Sequence, residues 1–230
     1  DIVIENNKTK INGNVTGKLL YLDKGQLEVD GELSLCSVSE MRSEDDLLRV
    51  KGDFTVGHYE RYGGWESNMT AGTVELEGDL IFKDLLSDED STHPNDGYKP
   101  TGTCKTVFCG SELQTVKGYV YDDYAYREYM GANLGAVKIQ NAKFTMEYDD
   151  SSGRPDMVLV DDAIIEDKGN IQVANLELNG YHLKTIGAVD ITYDLSSTSE
   201  DAGLDAEGGI EVGSDIVIEN NKTKINGNVT

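Results

Sequence analysis

Apolar and polar residues alternate along this chain in short runs, and each run is broken by a glycine. Ile11-Asn12-Gly13-Asn14-Val15 reads apolar, polar, Gly, polar, apolar. The same frame returns at Val29-Asp30-Gly31-Glu32-Leu33, at Val50-Lys51-Gly52-Asp53-Phe54 and at Leu76-Glu77-Gly78-Asp79-Leu80. A further apolar pair flanks each of the last three: Leu27 and Leu35, Leu48 and Val56, Val74 and Phe82. Period-2 alternation on both sides of a glycine predicts two half-buried strands meeting at a bend. The glycine supplies either a positive φ or room for close backbone approach. These glycines lie 18, 21 and 26 residues apart. That spacing suits the coils of a parallel β-solenoid (β-helix) with loops of different length extruded from one side. A single coil cannot bury its own apolar residues, and stacking buries them against its neighbours. The alternative is a β-sandwich of hairpins, which Asn12-Gly13, Asp30-Gly31 and Asn179-Gly180 would permit as turns.

The rest of the chain keeps this character. Strands are expected at Lys105–Cys109, Leu113–Lys117, Ala136–Ile139, Lys143–Tyr148, Met157–Val160, Ile164–Ile165 and densely over Ile171–Ile191. Leu85–Pro100 has no periodicity and reads as a surface loop, Asp149–Pro155 as a turn, and Ser196–Gly209 as a polar, acidic loop. No segment holds a helical period for more than a turn or two, so the chain is expected to be all-β. No apolar run reaches the length of a membrane-spanning helix.

One stretch organises the whole. Asp1–Thr16, DIVIENNKTKINGNVT, returns letter for letter as Asp215–Thr230. Such nesting of a long exact repeat over a short degenerate one marks a stacked architecture. Residues 1–230 then form a single elongated unit whose residues 215–230 are the start of a next tandem unit, or else a copy added by design. The apolar positions of the two copies are the candidate assembly joint: Ile2, Ile4, Ile11 and Val15, and Ile216, Ile218, Ile225 and Val229. Through open strand edges, units would propagate in a tandem chain or by head-to-tail stacking of separate copies.

Composition narrows the partners. With 43 acidic and 20 basic side chains the net charge is −23, which argues against nucleic acid and anionic membranes. It fits a long, soluble surface. The chain does not open on Met and shows no signal peptide, and so reads as a mature or excised piece. Acidic turns offer weak Ca²⁺ candidates at Asp149, Asp150 and Asp156 and at Asp161 and Asp162, but none follows a known calcium-loop pattern; no other cofactor is implied. The three cysteines, Cys36, Cys104 and Cys109, lack metal spacing and are expected as buried thiols. His58, His93 and His182 are scattered, and no nucleophile has a motif-level partner, so the chain is not expected to be an enzyme. A polysaccharide-cleaving carboxylate pair is the weaker alternative. The run Gly118–Gly131 carries five tyrosines, Tyr119, Tyr121, Tyr124, Tyr126 and Tyr129. Set among charged residues, these rings could stack on a glycan or grip a protein partner.

Several segments carry a resemblance: Leu176–Leu183 (LELNGYHL), Leu48–Phe54 (LRVKGDF), Met69–Leu80 (MTAGTVELEGDL), Thr101–Val116 (TGTCKTVFCGSELQTV) and Gly135–Ala142 (GAVKIQNA). Together they resemble β-helical repeat modules of large secreted and cell-surface proteins of Gram-positive bacteria. The cysteines and the tyrosine-rich insert depart from that pattern. The resemblance implies an extracellular or cell-surface scaffold, a filament, stalk or adhesin, and no reaction.

Overall fold

The computed structural model describes residues 1–57, 67–82, 97–118, 133–148, 154–197, 201–218 and 223–230. Every pairing between described strands is parallel. Hairpins are antiparallel by construction, so the sandwich alternative falls and the chain is a parallel β-solenoid.

In the early coils the chain visits three sides. The first side holds β1 (Ile2–Glu5), the second half of β3 (Val15–Asp23), the second half of β5 (Leu33–Met41) and β8 (Asn68–Met69), which a bridge extends to Pro100. The second side is a ten-stranded sheet that runs the full length. Its strands are β2 (Lys8–Ile11), β4 (Gln26–Val29), β6 (Leu47–Val50), β9 (Thr73–Leu76), β11 (Lys105–Phe108), β13 (Asn133–Ile139), β15 (Asp156–Leu159), β18 (Leu176–Glu177), β21 (Leu195–Ser197) and β24 (Ile216–Ile218). The third side holds the first halves of β3 and β5, then β7 (Phe54–Val56), β10 (Leu80–Phe82), β12 (Gln114–Gly118) and β14 (Phe144–Tyr148).

Strands β3 and β5 turn a corner without ending. Alternation slips at Leu19–Leu20 and at Ser37–Val38, where two successive residues are buried. A change of inward parity in mid-strand is what a bend between two sides requires.

The later coils redistribute the sides. β16 (Ala163–Ile165), β19 (His182–Thr185), β22 (Gly203–Ala206) and β25 (Lys224–Asn226) form a fourth side at the corner that follows the second. The third side is carried on by β17 (Ile171–Val173), β20 (Val189–Ile191) and β23 (Ile210–Val212). There the Met146 N–H donates to Asn170 O at 2.8 Å, laying β17 beside β14. The first side shrinks to the short link between β17 and β18. Each coil therefore remains three-sided while the corner that carries a strand migrates.

Inward residues stack into one continuous core, from Ile4, Leu20 and Leu22 through Leu48, Phe108 and Met157 to Leu195, Leu204 and Ile210. The expected loop Leu85–Pro100 is corrected at its end. Tyr98 is fully buried, edge-on to Phe54 and Phe82 at 6.0 and 5.9 Å between ring centroids. Its hydroxyl lies 2.7 Å from Thr106 Oγ1, which satisfies the polar tip. The expected loop Ser196–Gly209 is corrected too, because β22 lies within it. Its inward residues are Leu204 and Ala206 beside Gly203, too small a set to mark a strand by apolar alternation.

The framed glycines split between the two reasons expected of them. Gly13 has φ +124, the left-handed half of the map where glycine is favoured. Gly31, Gly52 and Gly78 form a ladder instead: a Cβ on each would lie 2.3 to 2.7 Å from backbone or Asn14 atoms of the coil before it. All three cysteines are thiols. Burial, with Asp46 and Glu44 nearby, pushes the Cys104 thiol up to about 12. The buried Asp46 is a turn-builder, accepting from the N–H groups of Gly25, Arg42 and Ser43.

Candidate assembly joint

The two copies of the 16-residue segment form the first and last coils. In the first copy, Ile2–Glu5 pairs with Leu20–Asp23 on the first side and Lys8–Ile11 with Gln26–Val29 on the second. Val15 opens the third-side half of β3. In the second copy, Ile216–Ile218 pairs with Leu195–Ser197 on the second side, and Lys224–Asn226 with Gly203–Asp205 on the fourth. Val229 bridges to Ile210 on the third. Ile216 and Lys224 therefore sit one side further round than Ile2 and Lys10, whereas Val229 lies on the same third side as Val15.

Inward parity is nonetheless identical. Ile2 and Ile4 lie against the buried Leu20 and Leu22, and Ile216 and Ile218 against the buried Leu195 and Ser197. Val3 and its counterpart Val217 face solvent. Ile11 matches Val29 inward, and Ile225 matches Leu204. The corner is also the same, since Gly227 has φ +138 where Gly13 has +124. The described parts of the two copies thus share inward parity and corner.

The two copies differ in which edge is occupied. The first is bonded to the coil that follows it: Asn6 N–H donates to Asp23 O and Val15 N–H to Glu32 O, while Asn7 O and Ile11 O accept from Gln26 and Asp30. The second is bonded to the coil before it. Lys224 N–H donates to Ala202 O and Thr230 N–H to Ile210 O, while Asp215 O, Asn228 O and Thr230 O accept from Leu195, Ile210 and Val212. Translated into the first copy's positions, no backbone group named on one edge recurs on the other.

Charge marks the first copy's contact. Lys10 Nζ lies 2.8 Å from Glu28 and 3.0 Å from Asp30, and Lys51 from the next coil reaches the same two carboxylates. Hydrogen bonds from the two ammonium groups hold both carboxyls below their ordinary range, and both lysines are raised in turn. Lys224, the counterpart of Lys10, has no ion pair among the described residues.

The other candidates are dispersed. Asp156 accepts from Asn175 Nδ2 at 2.6 Å, Asp161 pairs with Lys138 at 2.5 Å, and Asp162 accepts from the His182 N–H at 2.8 Å. Each carboxylate ties one coil to another rather than converging with its fellows. Among the described residues no group of three or more His, Cys, Asp or Glu is placed to hold a metal ion. Asp149 and Asp150 lie outside the described residues, as do Tyr119, Tyr121, Tyr124, Tyr126 and Tyr129. What the structure does place is the strand that precedes each of four such stretches. Residues 58–66, 83–96, 119–132 and 149–153 each follow a strand of the third side, namely β7, β10, β12 and β14. A groove of about 310 Å³ on the third side, lined by Gln172, Asp190 and Glu211, ends at Asn228 and Thr230 of the last coil.

Sequence reasoning singled out the two copies as candidates but not the change of side between Ile2 and Ile216, which leaves no mark in the residues themselves. No family model, curated protein or solved structure matches the chain.

Proposed function

We propose that this chain is a structural repeat unit of an extended filament, stalk or adhesin, extracellular or cell-surface, which adds length by continuing its solenoid from one unit into the next. The observation that carries the reading is that the second copy of the opening segment is laid on the solenoid as one more coil. Its work would be mechanical and spatial, and turnover is not part of it. A second reading has some support in the sequence neighbours of the tyrosine-rich stretch, which follows a third-side strand as three other stretches do: a binding module whose tyrosines contact a glycan or protein. Replacing the five tyrosines by serine would abolish such binding without altering rod length.

The test is a covalent two-unit chain, residues 1–214 followed by 1–230, imaged by negative-stain electron microscopy. Ten second-side strands make nine turns between β2 and β24, and Ile2 sits one side ahead of β2. At 4.8 Å per coil, each unit then adds about 45 Å. A single stiff rod lengthened by that amount supports the reading. Two separate bodies joined by a variable angle would overturn it.

A further inference from the structure

We infer that the outer face of the third side, over β17, β20 and β23, carries a saccharide-binding groove that takes one or two uncharged, hydroxyl-rich rings. The inference goes beyond the structural reading, does not rest on it, and uses none of the five tyrosines. The groove measures about 310 Å³, at the small end of the range of ligand sites. Gln172, Asp190 and Glu211 line it from the outward middle positions of the three strands, in register on successive coils about 4.8 Å apart. Asn170, Ala188 and Gly209, each just before its strand, line it as well. All three strands have a coil on either side, since β17 lies beside β14 and β23 is bridged to Val229.

The hollow exists because the side chains able to fill it are held elsewhere. Gln172 Oε1 accepts from the Tyr148 N–H at 3.0 Å, one coil back. Asp190 Oδ2 is held at 2.6 Å by Nη2 of Arg154, whose Nη1 donates to Thr192 Oγ1 at 3.2 Å. Arg154 is only 9% exposed, so this anchor is itself fixed. Asn170 Oδ1 accepts from the Ala188 N–H at 3.2 Å. On the next coil Gly208 and Gly209 add no side chain, and at Gly208 a Cβ would meet Ala188 N at 2.6 Å. A hollow kept open by bonded side chains is preformed, and a ligand loses little in ordering it.

The groups left without partners define the ligand. Among the described residues no hydrogen bond is made by the NH₂ groups of Asn170 and Gln172, by Asp190 Oδ1 or by the Glu211 carboxylate. Donors set beside acceptors suit the hydroxyl, which is both. Arg154 compensates the charge of Asp190, so Glu211 is left to repel anions while a neutral ligand meets no buried charge. The backbone offers no cradle for phosphate. The N–H groups of Ala188, Val189, Gly208 and Gly209 already donate, to Asn170 Oδ1, Gly209 O, Gly187 O and Ala206 O. No aromatic ring is among the lining residues, so the expected affinity is modest, with Kd on the order of 1 mM.

The experiment titrates the full 230-residue chain with cellobiose, maltose, lactose and N,N′-diacetylchitobiose, read by saturation-transfer NMR. Digalacturonate serves as the anionic control and spermidine as the cationic one. At least one neutral disaccharide should bind, and should slow amide exchange within residues 170–172, 188–190 and 209–211. Digalacturonate should bind roughly tenfold more weakly or not at all. Ala188→Leu, which fills the hollow from an outward position, should weaken binding roughly tenfold, and Glu211→Ala roughly threefold. Circular dichroism and melting temperature should match the parent in both, and the variant with all five tyrosines changed to serine should bind as the parent does. Failure of all four disaccharides to bind overturns the inference. Binding that survives both groove variants, or that is lost in the serine variant, overturns it in favour of another site. Binding of spermidine alone overturns it in favour of a merely acidic surface.

Discussion

The two copies of DIVIENNKTKINGNVT are a comparison supplied by the molecule itself. Sequence, inward parity and glycine corner are held constant, while the neighbours differ. The first copy is bonded toward Leu20, Leu27 and Leu33, the second toward Leu195, Leu204 and Ile210. Burial follows the neighbours. Ile4 is buried where Ile218 is half-buried, and Ile2 and Val15 are half-buried where Ile216 and Val229 are 44% and 45% exposed. The lesson is that this segment carries a complete coil with two usable edges. Which edge is used, and which side of the solenoid each strand lies on, comes from what it is stacked against.

The comparison breaks most sharply at Gly31. A Cβ there would sit 2.3 Å from Asn14 Oδ1 and 2.5 Å from Gly13 C, and so would drive the first coil off the second. In Gly31→Val, amide-exchange protection in residues 1–16 should fall more than a hundredfold while residues 215–230 keep theirs. Cys104, deep in the core and with its thiol raised by burial, should stay inert to alkylation at pH 8, showing that only the end has opened. Loss of protection at both ends would mean that the coils fold as one indivisible block.

Apolar truncation comes next. Ile4→Ala removes a buried side chain and should cost about 2–4 kcal/mol in chemical denaturation. Ile218→Ala, at the equivalent place in the half-buried last coil, should cost about 1 kcal/mol. Equal costs would show that the open edge of the last coil is covered in solution. Smaller still is the glycine corner. Gly13→Ala meets no atom within 4 Å and bears only its φ, about 1 kcal/mol. Gly227→Ala carries the same φ and also meets Ala206 O at 2.7 Å, so its melting temperature should fall further than that of Gly13→Ala.

The smallest effect is electrostatic and confined to the first copy. Glu28 and Asp30 are held below their ordinary values by Lys10 and Lys51. A carboxyl depressed on folding contributes stability that is complete above its unfolded pKa and is lost as the pH falls through the folded one. Between pH 6 and pH 3, protection factors of residues 8–11 should therefore drop modestly, while those of residues 224–226, whose lysine lacks such partners among the described residues, should not follow.

Much of this fold was legible beforehand because its signal is local. The frame around Gly31, Gly52 and Gly78 names strands and bends, and the structure places β4 to β7, β9 and β10 on them. Tyr98 was not legible. Its surroundings are polar and aperiodic, and only the aromatic gap between Phe54 and Phe82, brought together from adjacent coils, draws it inward. β22 escaped for a related reason, since Gly203 and Ala206 take part in a strand through stacking on His182 and Thr185 and not through their own propensity. The two copies were legible because exact repetition needs no geometry to be seen.

By itself, then, the sequence determined the period-2 strands, the glycine corners, the inward residues and the identity of the two ends, since each depends on residues only a few positions apart. The tertiary structure decided between the parallel coils and the hairpins of a sandwich, carried the third side on through β17, β20 and β23, and placed Ile216 one side further round than Ile2 while Val229 kept the side of Val15. Those facts depend on how many residues each earlier coil spends on its corners. That sum accumulates along the whole chain and is settled only when each coil finds its register on the last.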